Sequence, residues 1–255
     1  MRLHLFEFND QPWLPTIWRN ALTSYLYVAY RSTPFGTLLA KQVAALLHTT
    51  HSNKILDLCS GAGGPIAIVE AELKAQGITP QITMTDLFPN QTVAGTYWPQ
   101  PVDARAVPPE LTGMRTMFAG FHHFRPNDAQ QILRDAFERR CPIGIFEVTA
   151  RTPAGILLAA LIPFGVLLMT PRVRPLTAFQ LVFTYLLPIL PILIFWDGLV
   201  SQLRTYSVRE MQAMIADLAS PDYLWNCGMT SIPGTPMSVP YLTGHPTEPP
   251  PKQQV

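Results

Sequence analysis

The segment from Lys54 to Pro65 constrains the fold of this chain more than any other part of its sequence. It reads Lys-Ile-Leu-Asp-Leu-Cys-Ser-Gly-Ala-Gly-Gly-Pro, a short apolar run followed by a turn with three glycines. Such a run is typical of a strand that is buried on both faces. Because Ile66 to Leu73 then has helical spacing, the segment predicts the strand, turn and helix that open a doubly wound α/β fold.

Acidic residues end two successive predicted strands. Asp57 closes the first apolar run, and the second run, from Gln81 to Leu87, closes on Asp86. The glycine turn allows a ligand to approach the backbone at a helix N-terminus. An acidic side chain at the end of the second strand can accept both hydroxyls of a ribose. The pair therefore indicates a nucleoside-binding site rather than a tight turn without a ligand.

The turn does not fit the dinucleotide-binding variant of this pattern. That variant, Gly-x-Gly-x-x-Gly, places a pyrophosphate on the helix N-terminus, whereas Gly61-Ala62-Gly63-Gly64 is followed here by Pro65. Asp57 would also repel a pyrophosphate. It would suit a cation, such as the amino group or the sulfonium of S-adenosylmethionine.

Residues 57–63, Asp-Leu-Cys-Ser-Gly-Ala-Gly, resemble motif I of the class I S-adenosylmethionine-dependent methyltransferases. Cys59 replaces the first glycine of that motif. Asp86 matches the second acidic position of the family, which holds the ribose. Asp103, in Val102-Asp103-Ala104, matches the third, which binds the amino group of adenine.

Two later segments extend the resemblance. Gly113 to Phe124 is similar to the fourth strand of the family with the loop that borders the substrate, and Ile143 to Glu147 is similar to the fifth strand with its terminal acid. The resemblance implies a doubly wound, mostly parallel seven-stranded sheet with an antiparallel C-terminal hairpin, N-terminal helices and a hydrophobic helical insert between strands five and six. It also implies S-adenosylmethionine as cofactor, bound by Asp57, Cys59, Ser60, Gly61, Gly63, Asp86, Leu87, Asp103 and Ala104.

The composition limits which binding partners and which cellular compartment are expected. The chain has 18 Lys and Arg against 17 Asp and Glu, so no basic excess indicates nucleic acid. Charged residues make up 14% of the chain, against roughly 25% in ordinary soluble domains, which indicates a large buried fraction or contact with lipid. The three cysteines have no C-x-x-C pairing, so we expect neither a disulfide framework nor a metal site. The N-terminus has no secretory signal, and a cytoplasmic protein is expected.

The chain divides into five predicted segments. They are an N-terminal helical cap (1–52), the cofactor-binding α/β core (53–150), a hydrophobic helical insert (151–200), a C-terminal helix and β-hairpin that complete the core (201–245), and a disordered tail (246–255). Pro15 is expected to begin a first helix, and Ser207 to cap a later one with Glu210 in a capping box. Extended runs from Tyr223 to Ile232 and from Met237 to Gly244 predict the hairpin.

The insert is the second informative feature. Its only charges between Arg151 and Asp197 are Arg172 and Arg174. The run from Leu176 to Trp196 reaches the length of about 20 residues that crosses a bilayer, but a spanning hairpin would put both arginines on the far side, against the positive-inside bias. We therefore expect 154–196 to contact the cytoplasmic face of a membrane. A buried cap over the active site and an oligomer interface are the alternatives, and the sequence does not predict the oligomeric state.

The acceptor side of the site is predicted to be hydrophobic, because aromatic residues are frequent in the N-terminal helices and in the insert. His122 and His123 follow the fourth strand and are candidate general bases. Adjacent residues in extended chain face opposite ways, so we expect at most one of them to point into the site. Glu147 is a third catalytic candidate. For all three, a structural hydrogen bond or ion pair is the alternative.

The predicted function is methyl transfer from S-adenosylmethionine to a small or lipid-like hydrophobic acceptor. One alternative is a membrane-attached, non-enzymatic protein with a degenerate nucleoside-binding fold, which Cys59 in motif I supports. Another is an aminopropyltransferase-like enzyme, which would need acidic residues for a polyamine in segments that have almost none. Asp197, Arg204 and Tyr206 are expected to brace the insert against the core by an ion pair. The acceptor atom is not predicted.

Overall fold

The computed structural model describes residues 1–89, 95–235 and 237–247. The predicted tail begins inside this range, since Pro246 ends the last strand, while residues 248–255 lie outside the described residues. The helices are α1 (Thr16–Arg31), α2 (Phe35–Thr50), α3 (Gly64–Ala75), α4 (Pro126–Glu138), α5 (Pro153–Ala159), α6 (Ile162–Met169), α7 (Ala178–Leu181), α8 (Ile189–Arg204) and α9 (Val208–Ile215). The strands are β1 (Lys54–Asp57), β2 (Gln81–Met84), β3 (Met114–Phe118), β4 (Ile143–Phe146), β5 (Tyr223–Ser231) and β6 (Ser238–Pro246).

The strands form one mixed sheet in the order β2-β1-β3-β4-β6-β5. β2, β1, β3 and β4 are parallel. β6 runs antiparallel to β4 and pairs with β5 in the hairpin that closes the sheet. The strand order reverses between β1 and β3, because the chain leaves β1 toward β2 on one side and returns to β3 on the other. Ligands of such sheets bind at this reversal, outside the carboxyl ends of the strands.

The sheet has six strands within the described residues, where the sequence predicts seven. The expected strand beyond β2 is reduced to a single bridge between Met84 and Tyr97, with hydrogen bonds from Met84 N to Thr96 O at 2.9 Å and from Trp98 N to Met84 O at 2.8 Å. Pro99 and Pro101 follow immediately. Proline has no N–H to donate to a ladder, which explains why the pairing is interrupted after Trp98; Val102 N then donates to Asp86 O at 2.9 Å.

Helices cover both faces of the sheet, as the doubly wound prediction requires. Neighbouring residues of β1 point to opposite faces, since Ile55 belongs to one buried cluster and Leu56 to another. The Ile55 cluster includes Val43 of α2 and Val69 of α3, while the Leu56 cluster includes residues of α4 and α9. Because β1 is apolar on both faces, it can lie only in the interior of a layered fold.

Local signals in the sequence match the observed ends of several elements. Pro15 directly precedes α1, as expected. Ser207 accepts a hydrogen bond from the Glu210 N–H, and the Glu210 side chain accepts one from the Ser207 backbone, which is the predicted capping box. α9 then continues through a 3₁₀ turn to Leu218.

The insert folds as short helices rather than as one long hairpin. Within the described residues, no single helix is long and apolar enough to cross a membrane, but two bent pairs reach the length and composition together: Pro153–Ala159 with Ile162–Arg172, and Ala178–Leu186 with Ile189–Arg204. The breaks are bent by 48° and 82°. The inner side of the insert packs on α1 through a buried cluster that includes Leu22, Val166 and Ile194. Many of its outward apolar side chains stay exposed.

Candidate active site

The glycine turn after β1 bends around the carboxyl end of the sheet. Cys59, Gly61 and Gly63 all have positive φ, at 56°, 52° and 76°. The turn is held by a hydrogen bond from Gly63 N to Ser60 O at 2.8 Å, and it is tied to β2 by one from Ser60 N to Thr85 O at 2.9 Å. The backbone N–H of Gly61 donates to Oδ2 of Asp86 at 2.9 Å. The motif I turn and the second acidic position therefore lie side by side, as the sequence predicts.

Asp57 is buried at the reversal point of the sheet. Its two carboxylate oxygens accept hydrogen bonds from Ser60 Oγ at 2.6 Å and from Thr116 Oγ1 of β3 at 2.7 Å. Burial raises the pKa of Asp57 to about 7, because the two hydroxyl donors offset only part of the desolvation and the charge of Asp86 adds to it. A cation near this carboxylate would stabilise its ionised form.

Cys59 lies within electrostatic range of the three predicted cofactor carboxylates. Burial raises the pKa of its thiol, and the negative charges of Asp86, Asp57 and Asp103 raise it further. All three carboxylates are therefore within electrostatic range of one side chain. The backbone of Cys59 is left-handed, a conformation that glycine adopts without strain, whereas a residue with a Cβ loses about 1–2 kcal/mol there.

The remaining cofactor candidates differ in how much of their hydrogen-bonding capacity is already used within the protein. Asp86 Oδ1 accepts the Phe88 N–H at 2.9 Å, and Leu87 between them is exposed. Asp103 forms a bidentate pair with Arg105, at 3.0 Å from Nε to Oδ1 and 2.7 Å from Nη2 to Oδ2. This pair holds the pKa of Asp103 below its usual value. Ala104 is buried in the core, so it offers backbone rather than side chain to a ligand.

His122 and His123 lie in a 3₁₀ turn, Phe121–His123, and not in extended chain. The expectation that they face opposite ways is therefore wrong. A 3₁₀ turn rotates successive side chains by about 120°, and the two rings lie with their centroids 4.3 Å apart. Ala119, which leads into this turn, has a φ of 50°. The loops after β1 and β3 thus each contain a non-glycine residue in left-handed backbone, a kind of strain that clusters at functional sites.

Glu147 binds His122 through both of its carboxylate oxygens. Oε1 accepts the backbone N–H of His122 at 2.9 Å, and Oε2 lies 2.8 Å from its Nδ1. The other ring nitrogen, Nε2, is buried and has no hydrogen-bond partner among the described residues. It lies 4.0 Å from Oε1 of Glu7. His122 is almost fully buried, because the N-terminal segment covers this face of the site.

The N-terminal segment, residues 1–10, is bound to α8. The Asp197 carboxylate accepts the backbone N–H groups of Phe8 at 2.6 Å and Asn9 at 3.0 Å. Arg204 Nη1 donates to Glu7 at 3.2 Å and to Asp10 at 2.7 Å. Asp197 and Arg204 thus brace α8 against the N-terminal segment, whereas the sequence predicts a brace against the core. Tyr206 donates separately to Phe124 O at 2.7 Å.

Glu7 and Asp10 are site residues that the sequence does not reveal, because nothing in the local pattern of the first ten residues marks them. Burial raises the pKa of Glu7 to about 7, with repulsion from Asp10 and Asp197 opposing the attraction of His123 and Arg204. Burial alone would also raise the pKa of Asp10, but hydrogen bonds with His123 and Arg204 hold it below the usual range.

Three aromatic residues of the N-terminal helices and the insert pack on one another. Trp18 of α1 lies 4.9 Å from Phe179 and 4.7 Å from Phe183, centroid to centroid. Tyr25 is buried in the same cluster. These contacts join the N-terminal helices to the insert, and they are core packing rather than an open aromatic pocket.

No family model and no curated protein sequence matches this chain. Solved structures resemble it at low identity. The plantazolicin methyltransferase BpumL in complex with SAH is 11% identical over 93% of this chain and 91% of that chain, with a TM-score of 0.48. The mitomycin 7-O-methyltransferase MmcR is 15% identical over 94% of this chain and 61% of that chain, with a TM-score of 0.48.

A third similar structure is human N-acetylserotonin methyltransferase in complex with SAM, which is 12% identical over 82% of this chain and 52% of that chain, with a TM-score of 0.43. The chain thus spans only about half to two thirds of the length of two of these three proteins. Likenesses at this level carry no argument about function.

Proposed function

We propose that this protein is a class I S-adenosylmethionine-dependent methyltransferase that acts on a small or lipid-like hydrophobic acceptor. The observation that carries the proposal is that Asp57 and Asp86 accept hydrogen bonds from one glycine turn, from Ser60 and Gly61, with Asp103 within electrostatic range of Cys59. This turn lies at the reversal of strand order, where doubly wound sheets bind their ligands. Motif I, with Cys59 in place of its first glycine, forms that turn.

The residues of the turn fit an adenosyl ligand with a cationic amino-acid end. A Cβ placed on Gly61 or Gly64 would meet no atom within 4 Å, so the turn borders open space. The nearby carboxylates supply negative charge for the ammonium and the sulfonium. Asp86 uses one lone pair on each oxygen for a backbone N–H, and each oxygen keeps further acceptor capacity for ribose hydroxyls.

The residues that would hold S-adenosylmethionine are those of the turn and of the two acidic positions beyond it. Asp86 is assigned the ribose, Asp103 the adenine amino group and Asp57 the cationic end, with backbone contacts from Cys59, Ser60, Gly61, Gly63, Leu87 and Ala104. The bound cofactor supplies a methyl group on a positively charged sulfur. Residues 53–150 with 201–245 form the binding core in this proposal.

His122, His123 and Glu147 are assigned to the acceptor side. Glu147 keeps a proton on Nδ1 of His122, since its Oε2 accepts from that nitrogen at 2.8 Å. The lone pair of the neutral ring is then on Nε2, where it can hold a proton or a cation. Residues 1–52 and 151–200 cover this side and exclude water from it.

A hydrophobic acceptor is supported by the surface of the insert. Large apolar side chains are frequent on that surface, and the exposed ones are Ile156, Leu157, Leu161, Phe164, Leu168, Leu181, Val182, Tyr185, Leu186, Leu187, Ile189 and Ile192. Arg172 and Arg174 are also exposed. Exposed apolar side chains and cationic groups in one segment suit the boundary between acyl chains and anionic headgroups. We propose that 154–196 contacts the cytoplasmic face of a membrane, from which the acceptor is taken.

A transfer assay tests the proposed reaction. Protein incubated with methyl-labelled S-adenosylmethionine and a total lipid extract is expected to transfer label into an organic-soluble product. Absence of both transfer and binding of any adenosyl ligand would overturn the methyltransferase assignment and favour the non-enzymatic alternative.

For the membrane contact, flotation with anionic liposomes is expected to fall strongly when Phe164 and Leu168 are both changed to serine. The matched control is Leu224→Ser, because Leu224 is an exposed leucine on β5, outside the insert. Equal flotation of the wild type and of both variants would overturn the membrane contact but not the reaction.

A further inference from the structure

Each of the two histidines after β3 has a carboxylate on one ring nitrogen. Nδ1 of His122 lies 2.8 Å from Glu147 Oε2, and Nδ1 of His123 lies 3.1 Å from Asp10 Oδ1. Arg204 Nη1 is also 3.3 Å from His123 Nδ1, but the closer carboxylate requires an N–H at that atom. A neutral imidazole that donates from Nδ1 has its lone pair on Nε2. Metal-binding histidines are held by carboxylates in this way.

The lone-pair nitrogen of His122 has no hydrogen-bond partner among the described residues. Nε2 is buried, it makes no hydrogen bond within the described part of the chain, and Glu7 Oε1 lies 4.0 Å away. A buried polar atom without a hydrogen-bond partner destabilises the folded state. The arrangement therefore points to a bound group that the described residues do not supply.

Three ligand atoms converge at this position. One carboxylate oxygen of Glu7 and one ring nitrogen each of His122 and His123 lie within 4.8 Å of one another. A tetrahedral ion with bonds of about 2.0–2.2 Å places its ligands roughly 3.3–3.6 Å apart, so small side-chain rotations close the set. His123 is 32% exposed, so solvent reaches this side chain.

The local charge balance also favours a cation. Four carboxylates are grouped here with two guanidinium groups, and they are Glu7, Asp10, Glu147 and Asp197 with Arg2 and Arg204. With neutral imidazoles and all four carboxylates ionised, two negative charges are left over, which one divalent cation would balance. Arg204 Nη1 lies 2.7 Å from Asp10 Oδ2 and 3.2 Å from Glu7 Oε1, so Glu7 would leave Arg204 to bind an ion while Asp10 would keep its pair.

We propose that Glu7, His122 and His123 bind one divalent transition-metal ion, for which Zn²⁺ is the natural candidate given two imidazoles and a carboxylate. Glu147 and Asp10 are positioning residues that fix the tautomer of each imidazole. The ion would join the N-terminal segment to the loop after β3. This inference rests on the histidine geometry and does not depend on the proposed cofactor.

The test uses the full chain after treatment with a chelator. Calorimetric titration with Zn²⁺ is expected to show one ion per chain, and Co²⁺ is expected to give a visible absorption spectrum that Zn²⁺ abolishes. Glu7→Gln and His123→Ala should each weaken Zn²⁺ binding at least about tenfold, and Glu147→Gln by about 10–100-fold with an altered Co²⁺ spectrum. His51→Ala, at an exposed histidine after α2, is the matched control and should bind as the wild type does.

Wild-type protein that takes up neither ion would overturn the proposal. So would His123→Ala protein that binds Zn²⁺ with wild-type affinity, and this variant is informative even if Glu7→Gln fails to fold, because His123 is partly exposed. Titration of the same samples with S-adenosylhomocysteine separates the two assignments. Retained nucleoside binding without metal binding contradicts only the metal site.

Discussion

The side chain of Glu147, at the end of β4, holds both the backbone N–H and the Nδ1 of His122, at 2.9 Å and 2.8 Å. One carboxylate thus fixes the position of the loop after β3 and the tautomer of its buried ring. A glutamine side chain at this position replaces one of the two carboxylate oxygens with an NH₂ group, which cannot accept a hydrogen bond, so one of the two donors loses its acceptor. The pair therefore links the stability of the sheet edge to the chemistry of the histidine.

Glu147→Gln is expected to lower the free energy of unfolding by about 1.5–3 kcal/mol, because a hydrogen bond to a charged group is lost in a buried setting. Urea denaturation of the variant measures this loss. Glu138→Gln is the control, since Glu138 is exposed at the end of α4, and it should change the stability by less than about 0.5 kcal/mol. Equal losses in the two variants would contradict a structural role of the Glu147–His122 pair.

The left-handed backbone at Cys59 predicts an unusual order of substitutions. Cys59→Gly should leave the stability within about 1 kcal/mol of the wild type, because relief of the positive φ offsets the entropy that glycine loses on folding. Cys59→Val should cost at least about 2 kcal/mol, since a β-branched residue is poorly tolerated there. Thermal unfolding ranks the variants. Cys227→Val, on β5, serves as the reference, and a valine as well tolerated at position 59 as at 227 would show that the turn is not strained.

The raised pKa of Asp57 predicts how stability changes with pH in the absence of ligands. The folded protein holds a proton on Asp57 up to about pH 7, whereas the unfolded chain releases it near the ordinary value of about 4. The stabilisation from this group is therefore complete below about pH 4 and is lost as the pH rises through about 7.

Asp57→Asn removes that titration while keeping the size of the side chain. The difference in unfolding free energy between wild type and variant should shift against the wild type from pH 4 to pH 7, by up to about 1.4 kcal/mol per pH unit. Taking the difference cancels Glu7, which also has a raised pKa. A difference that does not change with pH would show that Asp57 is ionised in the folded protein.

The attachment of the N-terminal segment by Asp197 can be measured by hydrogen exchange. Asp197→Ala removes the acceptor of the Phe8 and Asn9 amides, and exchange in residues 1–10 should accelerate at least about tenfold. Asp217→Ala, in the turn after α9, is the control and should leave that exchange unchanged. Unaltered protection of Phe8 and Asn9 in the Asp197 variant would show that other contacts hold the segment.

Local sequence patterns predict the parts of this fold that are determined by residues close in sequence. The strand and glycine turn from Lys54 to Gly63 and the capping box of Ser207 and Glu210 follow from residues close in sequence, and the structure contains them. The seventh strand was expected by analogy to a family. It is absent from the described residues next to β2 because Pro99 and Pro101 interrupt the ladder.

The acceptor side could not be predicted in the same way. Glu7 and Asp10 reach His122 and His123 only after the N-terminal segment docks on α8, and no periodicity records a contact between such distant parts of the chain. The two histidines share a 3₁₀ turn, which their sequence does not distinguish from extended chain. Metal-ligand spacing is also invisible in the sequence, since the proposed ligands come from two remote segments.

The most direct test of the account is a calorimetric titration with S-adenosylhomocysteine of the wild type and of Asp86→Ala. The account predicts saturable binding of one ligand per chain by the wild type, and a loss of at least about tenfold in the variant, because hydrogen bonds to a charged acceptor contribute about 1.5–3 kcal/mol. Asp217→Ala should bind as the wild type does. Undiminished affinity in Asp86→Ala, or no binding by the wild type, would contradict the assignment of the glycine turn and its carboxylates to an adenosyl ligand.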